Sequence, residues 1–498
     1  MPHQPEESRP VTEPRPPRHS GSHDLPVPPA LDAFMRTGWA KAPLPAGAPV
    51  PAHALTPARR ARVAARFPGE RLVIPAGAPA VRCHGTDHRF RPHTGYAWLT
   101  GLTGDDQAGH VLVLEPDGDA RHEAVLYVRP GSPRTGHEFH RDRRHGEFWV
   151  GRRPGPAETA ARTGIRSEHR DAWDKLLTGT QPPTRVLTGV DPSVDAWLGD
   201  ARRMPAVRSA PAGLDAVIDE LRLVKDSWEQ GQLQHAVDAT AAGFEDVVRS
   251  LPQAVADPRG ERRVEGVFAL RARLEGNGPG FPTVAAAGDH ACVLRRTRND
   301  GPLEPGRLLL LDAGVETDSL YTADITRTLP LSGTFTPVQR TVYELVLAAQ
   351  DAGIAALRPG ARFHDFHEAA MRVITEGLYD WGVLAMPVDE ALAPENGFHR
   401  RYTLCAGGHM LGMDVHDCAR ARVGIYPDGA LEPGQVLTVG PGLYLRPDDE
   451  TLPRPLRGNG VRIEDDLVIT QDGARLMSSA LPRTPDDVEA WMAGLLDG

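Results

Sequence analysis

The chain has 498 residues, a length that predicts two or three domains with sizeable hydrophobic cores. Its apolar content of 40% and charged content of 24% are typical of a soluble globular protein, and its formal net charge of -10 argues against a general nucleic-acid binder. No run of about 18 apolar residues predicts a transmembrane helix, and the N-terminus lacks the apolar segment of a secretory signal. Four cysteines in so long a chain do not make a disulfide framework, so we expect a protein of the reducing cytoplasm.

The N-terminal half predicts a tail followed by an α/β domain. Residues 1–30 are rich in Pro, Ser, Arg and Glu, a composition that predicts a disordered tail over residues 1–35. From residue 57 onward, helical stretches such as "ARRARVAARF" and "AETAARTGI" alternate with the β-rich runs "RLVIPAG", "VLVLEP" and "EAVLYVRP". We therefore predict an α/β domain over residues 36–212.

The C-terminal half, residues 213–498, predicts a domain that mixes long helices with antiparallel strands. Ser227 with Gln230, and Thr336 with Gln339, form two predicted capping boxes that begin helices. The second of these helices should end near Arg358, and "FHEAAMRVITEGLYDWG" predicts a further amphipathic helix. The runs "RLLLLDAG" and "YTADITRTLPL" predict paired strands, and "NGVRIEDDLVIT" predicts the last strand.

Two acids on the predicted strand pair are candidate metal ligands. Asp312 ends the apolar strand "LLLLDAG", and Asp324 lies on the partner strand. Buried carboxylates must be paired, protonated or bound to a cation, and two facing ones with no nearby lysine suggest a metal. The alternative is that Asp324 pairs with Arg327 while Asp312 caps a turn, and for an isolated "DAG" this alternative is favoured.

Further candidates lie nearer the C-terminus. The stretch "GGHMLGMDVHD" contains His409, His416 and two aspartates, and "VRIEDD" contains Glu464 beside Arg462. A lone histidine is more often a satisfied core residue than a ligand, and an acidic turn is more often solvated. None of these elements is decisive by itself.

Their order along the chain is more specific. "DAG", "ADITRT", "GHMLGMDVHD", "VLTVGPGLY" and "VRIEDD" follow one another as in the aminopeptidase P branch of the creatinase/methionine aminopeptidase superfamily, which the chain resembles over roughly residues 40–490. The resemblance implies an α/β N-terminal domain and an α+β "pita-bread" C-terminal domain. It also implies an Xaa-Pro aminopeptidase, which uses two divalent metal ions, usually manganese, to remove the N-terminal residue of a peptide whose second residue is proline.

The resemblance assigns roles to individual positions. The implied metal ligands are Asp312, Asp324, His409 and Glu464, and the implied catalytic residues that keep their family identity are His416 and Arg462. Three positions depart from the family. Gly440 replaces a glutamate that ligates one metal and handles the proton of the attacking water, Arg295 replaces a histidine that lines the site, and Cys405 replaces a histidine that contacts the substrate. These departures predict impaired hydrolysis and one weak or empty metal site.

Three functional hypotheses remain open at this point. The chain is a weakened Xaa-Pro aminopeptidase, a pseudo-peptidase that binds a peptide or small amide without cleaving it, or an enzyme repurposed for a specialised substrate. In the third case Cys405 and His409, four residues apart, share a zinc ion. A small buried thiol is the favoured interpretation of Cys405. Family members form dimers or tetramers, so we expect a homodimer or homotetramer.

Overall fold

A computed structural model of the chain describes residues 26–40, 47–118, 121–177, 182–201, 213–404 and 406–497. It divides into an N-terminal α/β region and a C-terminal α+β region, as predicted. One hydrophobic cluster runs through both regions and includes Leu72, Trp98, Leu233 and Leu311. The two regions therefore share a continuous core. Among the described residues, no helix is both long enough and apolar enough to cross a membrane.

The N-terminal region is built on a mixed five-stranded sheet with the strand order β6-β5-β4-β1-β7. Its strands are β1 (Arg71–Pro75), β2 (Val81–Cys83), β3 (Thr86–Asp87), β4 (Val111–Pro116), β5 (His122–Val128), β6 (Arg166–His169) and β7 (Thr184–Val186). Its helices are α1 (Pro29–Met35), α2 (Thr56–Ala64), α3 (Thr94–Thr100), α4 (Glu138–Arg141), α5 (Glu147–Val150), α6 (Pro156–Thr163) and α7 (Pro192–Ala201). The predicted strands β1, β4 and β5 are confirmed.

Helix α1 corrects the prediction of a disordered tail through residue 35. Within this short helix Asp32 is buried, and its carboxylate forms ion pairs with Arg36, His137 and Arg141 at distances of 2.8–2.9 Å. Composition alone does not show that one acid of the tail meets several cations of the folded domain. Residues 1–25 and the predicted boundary at residue 212 lie outside the described residues.

The C-terminal region consists of long helices around small antiparallel sheets. Its helices are α8 (Leu214–Arg222), α9 (Ser227–Val255), α10 (Gly260–Glu275), α11 (Pro337–Ala356), α12 (Asp365–Asp380), α13 (Val388–Leu392) and α14 (Pro485–Leu496). Its strands are β8 (Gly278–Pro279), β9 (Val284–Ala287), β10 (Leu308–Ala313), β11 (Val315–Glu316), β12 (Ile325–Pro330), β13 (Val436–Val439), β14 (Gly442–Leu445), β15 (Asn459–Arg462), β16 (Asp465–Ile469) and β17 (Ala474–Leu476). The sheets have the orders β12-β10-β9, β13-β16-β17, β14-β15 and β11-β8.

Two local predictions in this region need correction. Helix α9 is capped by Asp226 and Glu229, whose side chains and backbone N–H groups bond reciprocally at 2.9 Å, and not by the predicted Ser227 and Gln230. The predicted last strand is two strands, β15 and β16, interrupted at residues 463–464. The capping box that opens α11 is confirmed at Thr336.

Candidate active site

Three of the predicted ligands form one compact group. Asp324, His409 and Glu464 each offer one ligand atom, and these three atoms lie within 4.8 Å of one another. His409 Nε2 is 3.2 Å from Asp324 Oδ2. Asp324 and Glu464 are buried, and His409 is half-buried. Carboxylate and imidazole groups gathered in this way are a donor set for a divalent cation.

The strands hold these groups at the places where regular pairing ends. β10 pairs with β12 antiparallel, so that Asp312 lies opposite Thr326, and Asp324 directly precedes β12. Glu464 occupies the interruption between β15 and β16, where its backbone bridges Thr326. The interruption in the predicted strand is therefore the feature that brings Glu464 to the group.

His409 is attached to the neighbouring strand β13. Its backbone N–H donates to Thr438 Oγ1 at 3.2 Å, and its carbonyl accepts from the Thr438 N–H at 2.8 Å. Its Nδ1 lies 3.2 Å from the Met410 carbonyl oxygen. These contacts leave Nε2 facing the carboxylates.

Arg462 connects the fourth predicted ligand to the group. Its Nη2 donates to Asp312 Oδ2 at 2.5 Å, its Nη1 donates to the Tyr444 hydroxyl at 2.8 Å, and its Nε is 3.7 Å from Glu464 Oε2. The guanidinium occupies one oxygen of Asp312 and fixes the orientation of that carboxylate. Asp312 thus lies beside the compact group but is already paired.

Burial and mutual repulsion keep these acids from ionising freely. Burial, followed by the charge of Asp312, raises the pKa of Asp324 well above its usual range. Burial, followed by the charges of Asp324 and Asp312, also raises the pKa of Glu464. A divalent cation would remove both causes, because it supplies an opposite charge at the point where the carboxylates converge.

Unpaired oxygen atoms provide an independent test of the fit to a metal. Asp312 Oδ1 and Asp324 Oδ1 are buried, and within the described part of the chain neither has a hydrogen-bond partner. Buried polar atoms without partners are rare unless an ion or water completes them. The residues present therefore fit at least one divalent cation.

Residue 440 lies at the site, as its flanking sequence predicted. The Gly440 N–H donates to the Gly407 carbonyl at 2.7 Å, two residues before His409. A Cβ atom built on Gly440 would lie 2.5 Å from Glu464 Oε1 and 2.7 Å from Glu464 Cγ. The Glu464 side chain thus occupies the space where a side chain at position 440 would begin.

The remaining predicted site residues lie at different distances from the group. The His416 ring packs edge-on against His409 with 4.4 Å between centroids, and the pKa of His416 is lowered by burial and by the charges of His409 and Arg295. Arg295 is exposed. Cys405 lies outside the described residues, so the prediction that it binds metal remains a prediction.

The proposed pairing of Asp324 with Arg327 is wrong. Arg327 is buried and donates to Asp465 Oδ1 at 2.6 Å. The Asp324 carboxylate accepts no hydrogen bond from Arg327. The Asp324 backbone N–H donates to Asp466 Oδ2 at 3.1 Å. Arg327 therefore leaves the candidate ligand free for a cation.

A buried ion cluster anchors the segment that carries both histidines. The Asp417 carboxylate binds Lys225 Nζ at 3.0 Å and also pairs with Arg222, and all three side chains are buried. Arg91 and Thr94 of the N-terminal region reach the same segment, Arg91 at the Met413 carbonyl and Thr94 at Asp414, each at 2.6 Å. Lys225 was not identified from the sequence as part of this cluster. The rarity of lysine in this chain was the one signal that could have drawn attention to it.

Comparison with known proteins gives matches in both regions. Residues 57–182 match "Aminopeptidase P, N-terminal domain", and residues 231–471 match "Metallopeptidase family M24". The chain is similar to Xaa-Pro aminopeptidase 1 of Streptomyces coelicolor, with 51% identity over 462 residues that cover 93% of this chain and 91% of that protein. It is similar to Xaa-Pro aminopeptidase of Escherichia coli, with 31% identity over 87% of this chain and 96% of that protein.

Solved structures agree with these sequence matches. Aminopeptidase PepP of Pseudomonas aeruginosa has a TM-score of 0.78 and 32% identity, covering 91% of this chain and 100% of that chain. An Escherichia coli aminopeptidase P variant in complex with substrate has a TM-score of 0.78 and 28% identity, covering 90% and 99%. The similarity therefore includes both regions and the segments that form the site.

Proposed function

The chain belongs to the aminopeptidase P group of Metallopeptidase family M24, as its motifs predicted, and we propose that it is an Xaa-Pro aminopeptidase with a reduced catalytic apparatus. Its substrate in this proposal is a peptide whose second residue is proline, and the product is the released N-terminal residue. The observation that carries the proposal is the Asp324, His409 and Glu464 group, in which three ligand atoms lie within 4.8 Å. We expect the protein to act in the cytoplasm.

Asp324, His409 and Glu464 would hold one divalent ion, with Asp312 available beside them through its unpaired Oδ1. Carboxylate oxygens favour manganese, and zinc is the alternative. When bound, such an ion polarises the scissile carbonyl and lowers the pKa of a water molecule that attacks it. A second ion would find fewer donors, because Gly440 has no side chain and Arg462 occupies Asp312 Oδ2.

The chain's own residues supply positioning and proton handling in this proposal. Arg462 holds Asp312 and lies close to Glu464, so that it fixes two carboxylates relative to each other. His416, packed against His409, forms one wall of the site beside the scissile bond. Glu464 fills the space at position 440, where the family's glutamate handles the proton of the attacking water. One carboxylate then serves as ligand and as proton acceptor, and we expect slow turnover.

A second candidate function is recognition of a peptide or small amide without hydrolysis. It is favoured by Gly440, because loss of a positioned general base typically costs about 10²–10⁴ in rate. Arg295, a permanent cation at a position where the family has histidine, favours it too. Repurposing for a specialised substrate, with Cys405 as a zinc ligand, is the third hypothesis.

Two measurements on the purified protein separate these functions. The first is the metal bound per chain, determined by elemental analysis after dialysis. The second is the hydrolysis of an Xaa-Pro-Xaa tripeptide with added manganese, with an Asp324→Asn variant as the inactive control. Metal-dependent release of the first residue that disappears in this control supports the aminopeptidase. Absence of release with added manganese supports the second candidate, and zinc that is lost in Cys405→Ala supports the third.

Restoring the family residues provides the complementary test. A Gly440→Glu, Arg295→His, Cys405→His variant should bind more metal and cleave the tripeptide faster than the natural chain. If the variant folds and still cleaves no faster, the three departures are not what limits the activity. Size-exclusion chromatography on the same preparations tests the expected homodimer or homotetramer.

A further inference from the structure

A groove of about 1060 Å³ lies outside the candidate active site, next to the start of α12, the segment 392–400, and residues Thr403, Leu404 and Ala406. It is lined by several cationic or titratable side chains, among them Arg358, His364, His367, His399 and Arg400. Its volume is at the upper end of the range of small-molecule sites. The metal-ligand group does not line it, so its composition needs a separate explanation.

Two of the lining arginines have no acidic partner among the described residues. Arg358 and Arg400 are exposed, and no ion pair or side-chain hydrogen bond involves either of them within that part of the chain. The other lining arginine, Arg372, is paired with Asp389 at 3.1 Å. The groove therefore presents two guanidinium groups whose donors are not used by the protein.

The acids on the rim do not neutralise these arginines. Asp365 and Glu368 line the groove, but Arg362 holds both, at 2.7 and 2.9 Å. Their carboxylates therefore already have a cation as partner. Arg362 therefore offsets the negative charge of Asp365 and Glu368, and neither acid pairs with Arg358 or Arg400.

His367, which lines the groove, lies close to other basic side chains. The His367 ring packs against His364 with 4.7 Å between centroids, and His367 Nδ1 is buried without a hydrogen-bond partner among the described residues. Burial, followed by electrostatic interactions with His364, His399 and Arg400, lowers the pKa of His367 to about 4. Arg400 is a permanent cation, and the charge that disfavours a protonated His367 favours an anion for the same reason.

We propose that this groove binds a small, multiply charged oxyanion, held by Arg400 and Arg358. Guanidinium groups bind phosphate and carboxylate oxygens through paired N–H donors, which suits either a phosphate-bearing or a polycarboxylate ligand. The proposal does not depend on peptidase activity.

The site is also adjacent to the candidate active site along the chain. Leu404 and Ala406 line the groove, and the carbonyl of Gly407 accepts the N–H of Gly440 at 2.7 Å. A bound oxyanion would thus contact the segment that leads to His409. This adjacency does not enter the test, which measures binding alone.

Isothermal titration calorimetry with pyrophosphate and with citrate tests the proposal on the full chain treated with chelator. Removing metal prevents either anion from binding through a metal ion. We expect one anion per chain with a dissociation constant on the order of 1 mM or tighter, and the stronger of the two probes identifies the phosphate or carboxylate source. Absence of binding by both probes overturns the proposal.

Matched variants locate the binding. Arg400→Ala and Arg358→Ala should each weaken binding by about tenfold, because each removes a charge-assisted contact. Arg372→Ala removes the same charge from the same groove but breaks an existing ion pair, and it should change binding little. His409→Ala should also leave binding unchanged. Equal weakening by Arg372→Ala, or loss of binding only in His409→Ala, overturns the proposal.

Discussion

The substitution Gly440→Ala, which adds one methyl group, tests directly whether Glu464 fills the space at position 440. The φ angle of Gly440 is not in the left-handed region, so the backbone itself accepts alanine without strain. The new Cβ would lie 2.5 Å from Glu464 Oε1 and 2.7 Å from Glu464 Cγ. Glu464 would have to retreat by about 1 Å, and overpacking of this kind costs about 1–3 kcal/mol.

The expected net effect of Gly440→Ala is a loss of about 1–2 kcal/mol in the free energy of unfolding. Overpacking against Glu464 destabilises the protein. Alanine also restricts the unfolded chain more than glycine does, and this effect stabilises the protein by about 0.4–1 kcal/mol. The Glu464 carboxylate has little freedom to move, because Thr326 Oγ1 lies 3.3 Å from its Oε2 and the side chain is buried. Urea unfolding in the presence of chelator measures the difference without a contribution from metal.

A double-mutant cycle tests the assigned cause. In a Glu464→Ala background the obstacle is gone, so Gly440→Ala should become neutral or slightly stabilising, with a coupling energy of about 1–3 kcal/mol. Gly231→Ala is the control, because a Cβ there meets nothing within 4 Å and its effect should be the same in both backgrounds. A loss at Gly440 that is equal in both backgrounds, or no loss at all, would refute the reasoning.

Other predictions concern the segments around the site. Asp417→Asn should cost about 3–5 kcal/mol in urea unfolding, because it leaves the buried Lys225 without its carboxylate and removes one of the carboxylates that pair with the buried Arg222. Asp448→Asn, at an exposed pair, should leave the urea midpoint unchanged. Burial lowers the pKa of His110 to about 3. Since the unfolded state then binds the extra proton, stability should fall as pH drops below about 6.5, by about 2 kcal/mol at pH 5 for this residue. His110→Gln should remove that part of the difference between unfolding at pH 8 and pH 5. His409→Ala should lower the metal retained per chain after dialysis, as read by elemental analysis, with the circular dichroism spectrum unchanged.

Helix starts illustrate what the sequence could and could not predict. "Thr336-Pro337-Val338-Gln339" offers one capping box, and the structure uses it. Near residue 227 two possible boxes are offset by one position, and the pattern alone cannot choose between them. The carboxylate of Asp226 also binds Arg59 at 3.0 Å, a contact with a residue 167 positions away. A distant ion pair thus selects Asp226, and no local pattern contains it.

The site shows the same division. The order of motifs predicted which residues converge, because strands and their ends carry Asp312, Asp324 and Glu464. It did not predict that Glu464 would fill the space at Gly440, since a missing side chain does not specify what replaces its volume. Lys225 was also overlooked, because no local pattern marks it as the buried partner of Asp417, an acid 192 positions away.

The balance of charge explains why filling the space at Gly440 does not replace the missing acid. The three candidate carboxylate ligands, Asp312, Asp324 and Glu464, carry three negative charges when ionised, and the adjacent Arg462 returns one positive charge. The two negative charges that remain balance one divalent ion. Two such ions with a bound hydroxide would need three negative charges from the protein. A glutamate at position 440 would supply that third charge, but Glu464 moved into its space adds none. We therefore expect a reduced capacity for a second cation, and the metal bound per chain is the quantity that tests this expectation.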